Sequence, residues 1–187
     1  MGKFTFVVLA ALAALPGAAA FAQAVPATAI ATDITKAEVE ALAALSPGDH
    51  QSKIVDVDKL NIAVGVVHRV ATKDKPGDPA RGIYHDQTTE VYYILSGSGM
   101  LTTGGTIVAP QRIAADSEIT KVLNGPSSVG INQGGYTRKV GPGDLVIIPA
   151  GVFHGWSQIT DQVTYLSVRP DPDKVLPAGY VNPAIAK

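Results

Sequence analysis

Ile83-Tyr84-His85-Asp86-Gln87-Thr88-Thr89-Glu90-Val91-Tyr92-Tyr93-Ile94-Leu95-Ser96-Gly97 is the stretch on which the fold turns. Residues 90–95 are β-branched and aromatic beyond the glutamate, the composition of a strand half-buried in a sheet. Ahead of them stand a histidine and the polar run Asp86-Gln87-Thr88-Thr89. A polar run of that length can turn a strand back on itself, which puts the His85 imidazole and the Glu90 carboxylate on facing strands. Gly97, Gly99 and Gly104-Gly105 punctuate the hairpin that follows.

Outward from this stretch the same grammar recurs. Asn61–Val70 alternates with period two, so Ile62, Val64, Val66, His68 and Val70 share one face. Gly141-Pro142-Gly143-Asp144 is a turn leading into the apolar run Leu145–Ile148. Pro149-Ala150-Gly151 turns again and places His154 at the start of another strand. Residues 163–168 form a last strand, closed by Pro170 and Pro172. Residues 106–140 carry turn signals at Asn124-Gly125-Pro126 and Gln133-Gly134-Gly135, which predict a long excursion with short strands. Many short strands between Gly/Pro turns predict an all-β antiparallel sandwich or barrel. One helix precedes it. Thr35 and Glu38 form a capping box, and Val39, Leu42 and Ala43 follow at helical spacing, which predicts a helix over 36–45. Its expected role is a lid on a barrel end or a dimer contact. There is no internal repeat.

Composition narrows the chemistry. With 15 Lys and Arg against 16 Asp and Glu, the net charge of −1 offers no basic stripe for a nucleic acid. The absence of cysteine removes disulfides, thiol nucleophiles and thiolate metal sites, so any metal must be held by nitrogen and oxygen. At the N-terminus Lys3 precedes an apolar run over residues 4–15, interrupted only by Thr5. Pro16-Gly17 and the A-x-A pattern Ala22-Gln23-Ala24 follow. This reads as a signal peptide over residues 1–24, with export to the periplasm or medium and no membrane anchoring after cleavage. The expected organisation is an extension with the helix over 25–51, the β domain over 52–170 and a tail over 171–187.

The chain has only four histidines, His50, His68, His85 and His154. His85 with Glu90 a strand turn away, and His154 after its own tight turn, are the pair that can meet. Two imidazoles and a carboxylate suit a divalent first-row metal. Here the residues match a known pattern. The chain resembles the cupins, whose first motif runs G-x5-H-x-H-x4-E-x6-G and whose second runs G-x5-P-x-G-x2-H-x3-N. Gly77, His85, Glu90 and Gly97 keep the first in register, with Ile83 where its leading histidine stands. Gly143, Pro149, Gly151 and His154 keep the second, with Gln158 in the asparagine place. The resemblance implies a jelly-roll β-barrel over about residues 52–170, with one divalent metal (iron, manganese, nickel or zinc) held inside by His85, Glu90 and His154. The usual fourth nitrogen is missing at Ile83, and His68 is the one histidine on an alternating face that could replace it.

Other residues complete the expectation. Glu90 is a candidate for double duty as metal ligand and catalytic proton acceptor, as in some cupin oxygenases. Tyr92 shares the Glu90 face by period two, and Trp156 shares the His154 face. With His68 these are the candidate substrate-binding residues. His50 reads as part of a polar loop, Gly48-Asp49-His50-Gln51, and Arg169 as a solvated strand end, with reach to an acidic ligand at a barrel mouth as the alternative. The functional expectation is a metal-dependent enzyme on a small organic molecule, dioxygenase chemistry first. Lyase or isomerase chemistry and non-catalytic ligand binding are the alternatives. A homodimer is expected by analogy with other cupins.

Overall fold

The computed structural model describes residues 30–186, so the signal-peptide reading of residues 1–24 lies outside the described residues. Eleven strands follow one helix: α1 Lys36–Ala43, β1 Gly48–Asp56, β2 Asn61–Val70, β3 Arg81–His85, β4 Glu90–Gly97, β5 Gly99–Thr103, β6 Thr106–Arg112, β7 Ser127–Gln133, β8 Tyr136–Val140, β9 Leu145–Ile148, β10 His154–Ser157 and β11 Gln162–Asp171. A single π-helical turn, Ile119–Leu123, lies between β6 and β7. The strands form two antiparallel sheets, ordered β1-β2-β11-β4-β9 and β6-β7-β3-β10-β5-β8. This is the two-sheet β architecture that the turn-punctuated sequence predicts. Among the described residues no helix is long and apolar enough to cross a membrane.

The helix forms for the reason read from its cap. Thr35 N–H donates to Glu38 Oε2 at 2.7 Å, and Glu38 N–H donates to Thr35 Oγ1 at 3.3 Å. It ends at Ala43, two residues before the predicted end, because Pro47-Gly48 is already turning the chain into β1. Its place corrects the expected lid. Leu42, with Val39 and Ala43, packs on Val66 and Leu166 against the outer face of the first sheet, and Ile185 from the C-terminal segment joins them.

That packing decides which face of β2 is inside. Val66 lies under the helix, whereas Val67 belongs to the core between the sheets with Tyr92, Ile94, Leu101, Ile148, Trp156 and Tyr165. Period-two alternation then sends Ile62, Val64 and His68 outward and Arg69 inward. A third cluster, Ile54, Ala63 and Leu176 with Val175 and Tyr180, ties residues after β11 back to β1 and β2. Strand β1 starts at Gly48, so Asp49, His50 and Gln51 are strand residues paired with Val67, Val66 and Gly65 rather than a polar loop.

Strands β3 and β10 touch through one register pair, Ile83 with His154. Glycines make that approach feasible. A Cβ on Gly82 would collide with the His154 carbonyl oxygen, and one on Gly155 with the Arg81 carbonyl oxygen.

Candidate metal centre

His85 is the last residue of β3 in one sheet and Glu90 the first of β4 in the other. The polar run between them carries the chain across the barrel, so the imidazole and the carboxylate face each other as the spacing predicts. His154 opens β10, beside β3. The three donor groups lie within 4.8 Å of one another and all three residues are buried. His154 Nε2 is 2.9 Å and His85 Nε2 3.3 Å from the same oxygen, Glu90 Oε2.

The partners on the far side of each ring set its tautomer. His85 Nδ1 lies 2.8 Å from Ser127 Oγ, and that hydroxyl spends its own hydrogen on the Gly125 carbonyl at 2.8 Å. Ser127 therefore accepts, His85 Nδ1 carries the hydrogen, and Nε2 presents a lone pair. His154 Nδ1 faces the Val152 carbonyl at 3.1 Å, an acceptor only, so Nδ1 carries a hydrogen and Nε2 is turned to Glu90. Burial pushes the His85 pKa down, outweighing its bond to Glu90, which keeps the ring neutral.

Glu90 is held ionised. Burial pushes its pKa up, but the Arg169 charge and the imidazole bonds outweigh it and leave the carboxyl well below the usual range. Oε1 accepts from Ser167 Oγ at 2.7 Å and from Arg169 Nε at 2.9 Å. Oε2 accepts from Tyr92 Oη at 2.8 Å. Two ring nitrogens and an anionic oxygen therefore converge on one buried point. That is the donor set of a divalent cation, and the residues fit a metal. The arrangement in which each ring is oriented by a hydrogen bond on its other nitrogen is the one metal-ligating histidines use.

Sequence reasoning missed the support of this site. Arg169 is 1% exposed, one of the most buried side chains among the described residues. Beyond Glu90 it donates from Nη1 to Gln51 Oε1 at 3.0 Å and pairs through Nη2 with Asp49 Oδ2. The expectation of a solvated strand end is thus corrected. Gly65 leaves room for the pair, since a Cβ there would stand 2.7 Å from Arg169 Nη1 and 2.8 Å from Asp49 Oδ1.

The candidate substrate residues fare differently. His68 stands on the outer face, bonded through Nδ1 to Thr164 Oγ1 at 2.8 Å, so it is no fourth ligand. With Trp156 and Arg69 it borders a shallow depression of about 290 Å³, separate from the three ligands. Trp156 is otherwise core, its ring 5.5 Å from that of Tyr165. Tyr92 packs against Tyr165 with ring centres 4.4 Å apart and serves Glu90 rather than a cavity wall. Glu90 is badly placed as a proton acceptor. Both of its oxygens already accept, its acidity is raised, and a general base needs substrate within reach.

A larger cavity of about 690 Å³ is walled by Asp49, Arg69, Arg81, Ile83, Val129 and Ile131, with the π-helical turn beside it. Arg81, Ile83 and His85 alternate along the inner face of β3, so this wall runs toward the ligands and stops at Ile83. The two motifs thus sit on neighbouring strands, β3 beside β10 in one sheet and β4 beside β9 in the other.

The fold is a two-sheet antiparallel β-barrel.

No family model matches the chain, and no curated protein is found similar to it. Solved structures to which the chain is distantly similar include the DMSP lyase DddQ from Ruegeria pomeroyi DSS-3, 20% identical over 58% of this chain and 38% of that one, with a TM-score of 0.35. The match thus spans well under half the length of that enzyme. An uncharacterized conserved protein with a double-stranded beta-helix domain from Klebsiella pneumoniae is 15% identical over 76% of this chain and 93% of its own, TM-score 0.44. KdgF from Halomonas sp. is 15% identical over 68% and 83%, TM-score 0.38. These likenesses are too distant to transfer a role, so the site is read from its own geometry.

Proposed function

We propose that this protein holds one divalent transition metal on His85, Glu90 and His154 and acts as a metal-dependent enzyme on a small organic molecule, with O₂-dependent, dioxygenase-type oxidation as the first class. The observation that carries the metal is the convergence of two ring nitrogens and one carboxylate oxygen at one buried point, each ring anchored through its other nitrogen. Three protein ligands leave open positions for substrate and O₂, the feature that favours iron oxygen chemistry. When bound, the metal supplies Lewis-acid polarisation of the substrate and, if it is iron, electron transfer to O₂.

The protein's own contribution is positional. Ser127 and the Val152 carbonyl fix the two rings. Tyr92, Ser167 and Arg169 fix the carboxylate and keep it ionised. The cavity beyond Ile83 is of the size that small-molecule sites take, and it is open to solvent at its rim. Product analysis with purified, metal-loaded protein tests the class. Turnover that needs O₂ supports oxidation. Turnover in strict anaerobiosis overturns it and moves the assignment to lyase or isomerase chemistry on the same residues.

A second reading, a binding module without chemistry, draws on Ile83. This residue both removes a fourth ligand and stands at the end of the cavity wall nearest the ligands. Tight ligand binding with no consumption is its expected signature. Export belongs to the proposal through residues 1–24. So does a homodimer, supported by the outer face of β4 and β9, where Tyr93, Leu95, Leu145 and Ile147 are exposed side by side. Sedimentation at micromolar concentration tests it, with Ile147→Asp expected to give monomer.

A further inference from the structure

The larger cavity carries a charge pattern that the metal does not explain. Arg69 reaches it from the inner face of β2. Its Nε donates to Tyr165 Oη at 3.0 Å, and neither terminal nitrogen bonds to protein among the described residues. Arg81 stands at the opposite wall with no ion-pair partner among the described residues. The acidic group on the wall, Asp49, pairs with Arg169 through Oδ2, while its Oδ1 has no hydrogen-bond partner among the described residues. Counting the inner charges, Arg69, Arg81 and Arg169 face Asp49 and Glu90, an excess of positive charge before any metal is added. Between the arginines the wall is apolar, with Ile83, Val129 and Ile131.

A second feature marks the wall as built for a ligand. Asn124, at the end of the π-helical turn, lines the same cavity and is only 8% exposed, yet its side-chain oxygen has no partner among the described residues. Buried polar atoms are almost always satisfied, so this oxygen calls for a donor, which the body of a ligand and not its anionic end would supply.

We infer that this cavity takes a small organic anion, a carboxylate or a phosphate ester on an apolar body, gripped at its charged end by the Arg69 guanidinium. The planar fork of arginine matches the paired oxygens of either group. The apolar body lies along Ile83, Val129 and Ile131, and Arg81 draws the anion in at the other wall. The inference rests on the functional reading above, because it names the substrate class of that site, but its test is independent of the metal.

The experiment is calorimetric titration of the protein, as purified and after metal removal, with benzoate, phenyl phosphate and the neutral isostere benzamide. Hexanoate and hexanamide form the aliphatic pair. Metal content is measured on each sample. The expected result is binding of at least one anion about tenfold or more tighter than its amide, persisting without metal. Arg69→Met is expected to abolish that preference, and Arg69→Lys to retain part of it. The stronger of benzoate and phenyl phosphate identifies the head group. Equal binding of anion and amide, no anion binding, or a preference undiminished in folded R69M protein overturns the inference. The wild-type comparison stands even if R69M fails to fold. A protein that takes up no metal even on reconstitution, yet prefers the anion, removes the metal reading and leaves this one. A metal-loaded protein with no preference does the reverse.

Discussion

Arg169 Nε donates to Glu90 Oε1 at 2.9 Å, joining β11 to β4 across 79 residues of sequence. The same guanidinium engages Asp49 and Gln51, so one buried cation stands between the buried Glu90, the half-buried Asp49 and a buried amide. The carboxylate that faces the histidines is thereby oriented from behind. Ionisation of Glu90 at the centre of a barrel depends on this arginine, because burial alone pushes its pKa up.

Removing that cation leaves two uncompensated carboxylates. Breaking a buried pair on one side costs about 3–5 kcal/mol, more than the pair is worth as a unit. Arg169→Met is expected to lower stability by about that amount and to weaken metal binding with it. Chemical denaturation beside metal titration checks both. An unchanged denaturation midpoint would show that the buried network contributes nothing.

Ser127 is expected to act on the metal without touching it. In Ser127→Ala, His85 loses the acceptor that fixes its tautomer. Metal affinity should fall about 10- to 100-fold, as for other supporting partners of ligating histidines, while the fold is retained. Competition with a chromophoric chelator reads the affinity. Wild-type affinity in the variant would remove the serine from the account.

Ile83 stands on the inner face of β3 as the register partner of His154. Ile83→His is expected to add a fourth nitrogen and to raise metal affinity by more than about tenfold, the low end of what a mere supporting bond is worth. Affinity unchanged or lowered in folded I83H protein would place residue 83 away from the ligands.

Alkaline titration offers a test that bypasses the metal. Burial pushes the pKa of Tyr92 well above the ordinary phenol value, helped by the Glu90 charge, and burial also raises that of Tyr165 against the pull of Arg69. A raised acid pKa in the folded state means that unfolded chain releases protons first. The stability these tyrosines provide is complete below about pH 10 and is lost as pH rises toward their folded values. Absorbance at about 295 nm should show part of the six-tyrosine signal at ordinary phenol pH and the rest together with unfolding. Titration of all six before unfolding would contradict the burial.

Much of this was legible before the structure. The ligands are readable because a strand turn fixes the spacing of His85 and Glu90, and Pro149-Ala150-Gly151 fixes where His154 begins its strand. Strand β2 shows what periodicity leaves out. Alternation groups Val66 with His68, but both faces of β2 are apolar, one beneath α1 and one in the barrel, so the pattern does not say which is inside. Support for Glu90 was hidden for another reason. Asp49 and Arg169 lie 120 residues apart in sequence and meet only through strand pairing, and an arginine before Pro170 looks the same as any strand end.

The central claim is a metal on His85, Glu90 and His154. Elemental mass spectrometry of the protein purified without chelator or His tag, with His154→Ala beside it, tests it most directly. The account predicts near one equivalent of iron, manganese, nickel or zinc in the wild type and its loss in H154A. No metal in the wild type, even after reconstitution, would contradict it, and Ile83 would then mark a site that has ceased to bind one.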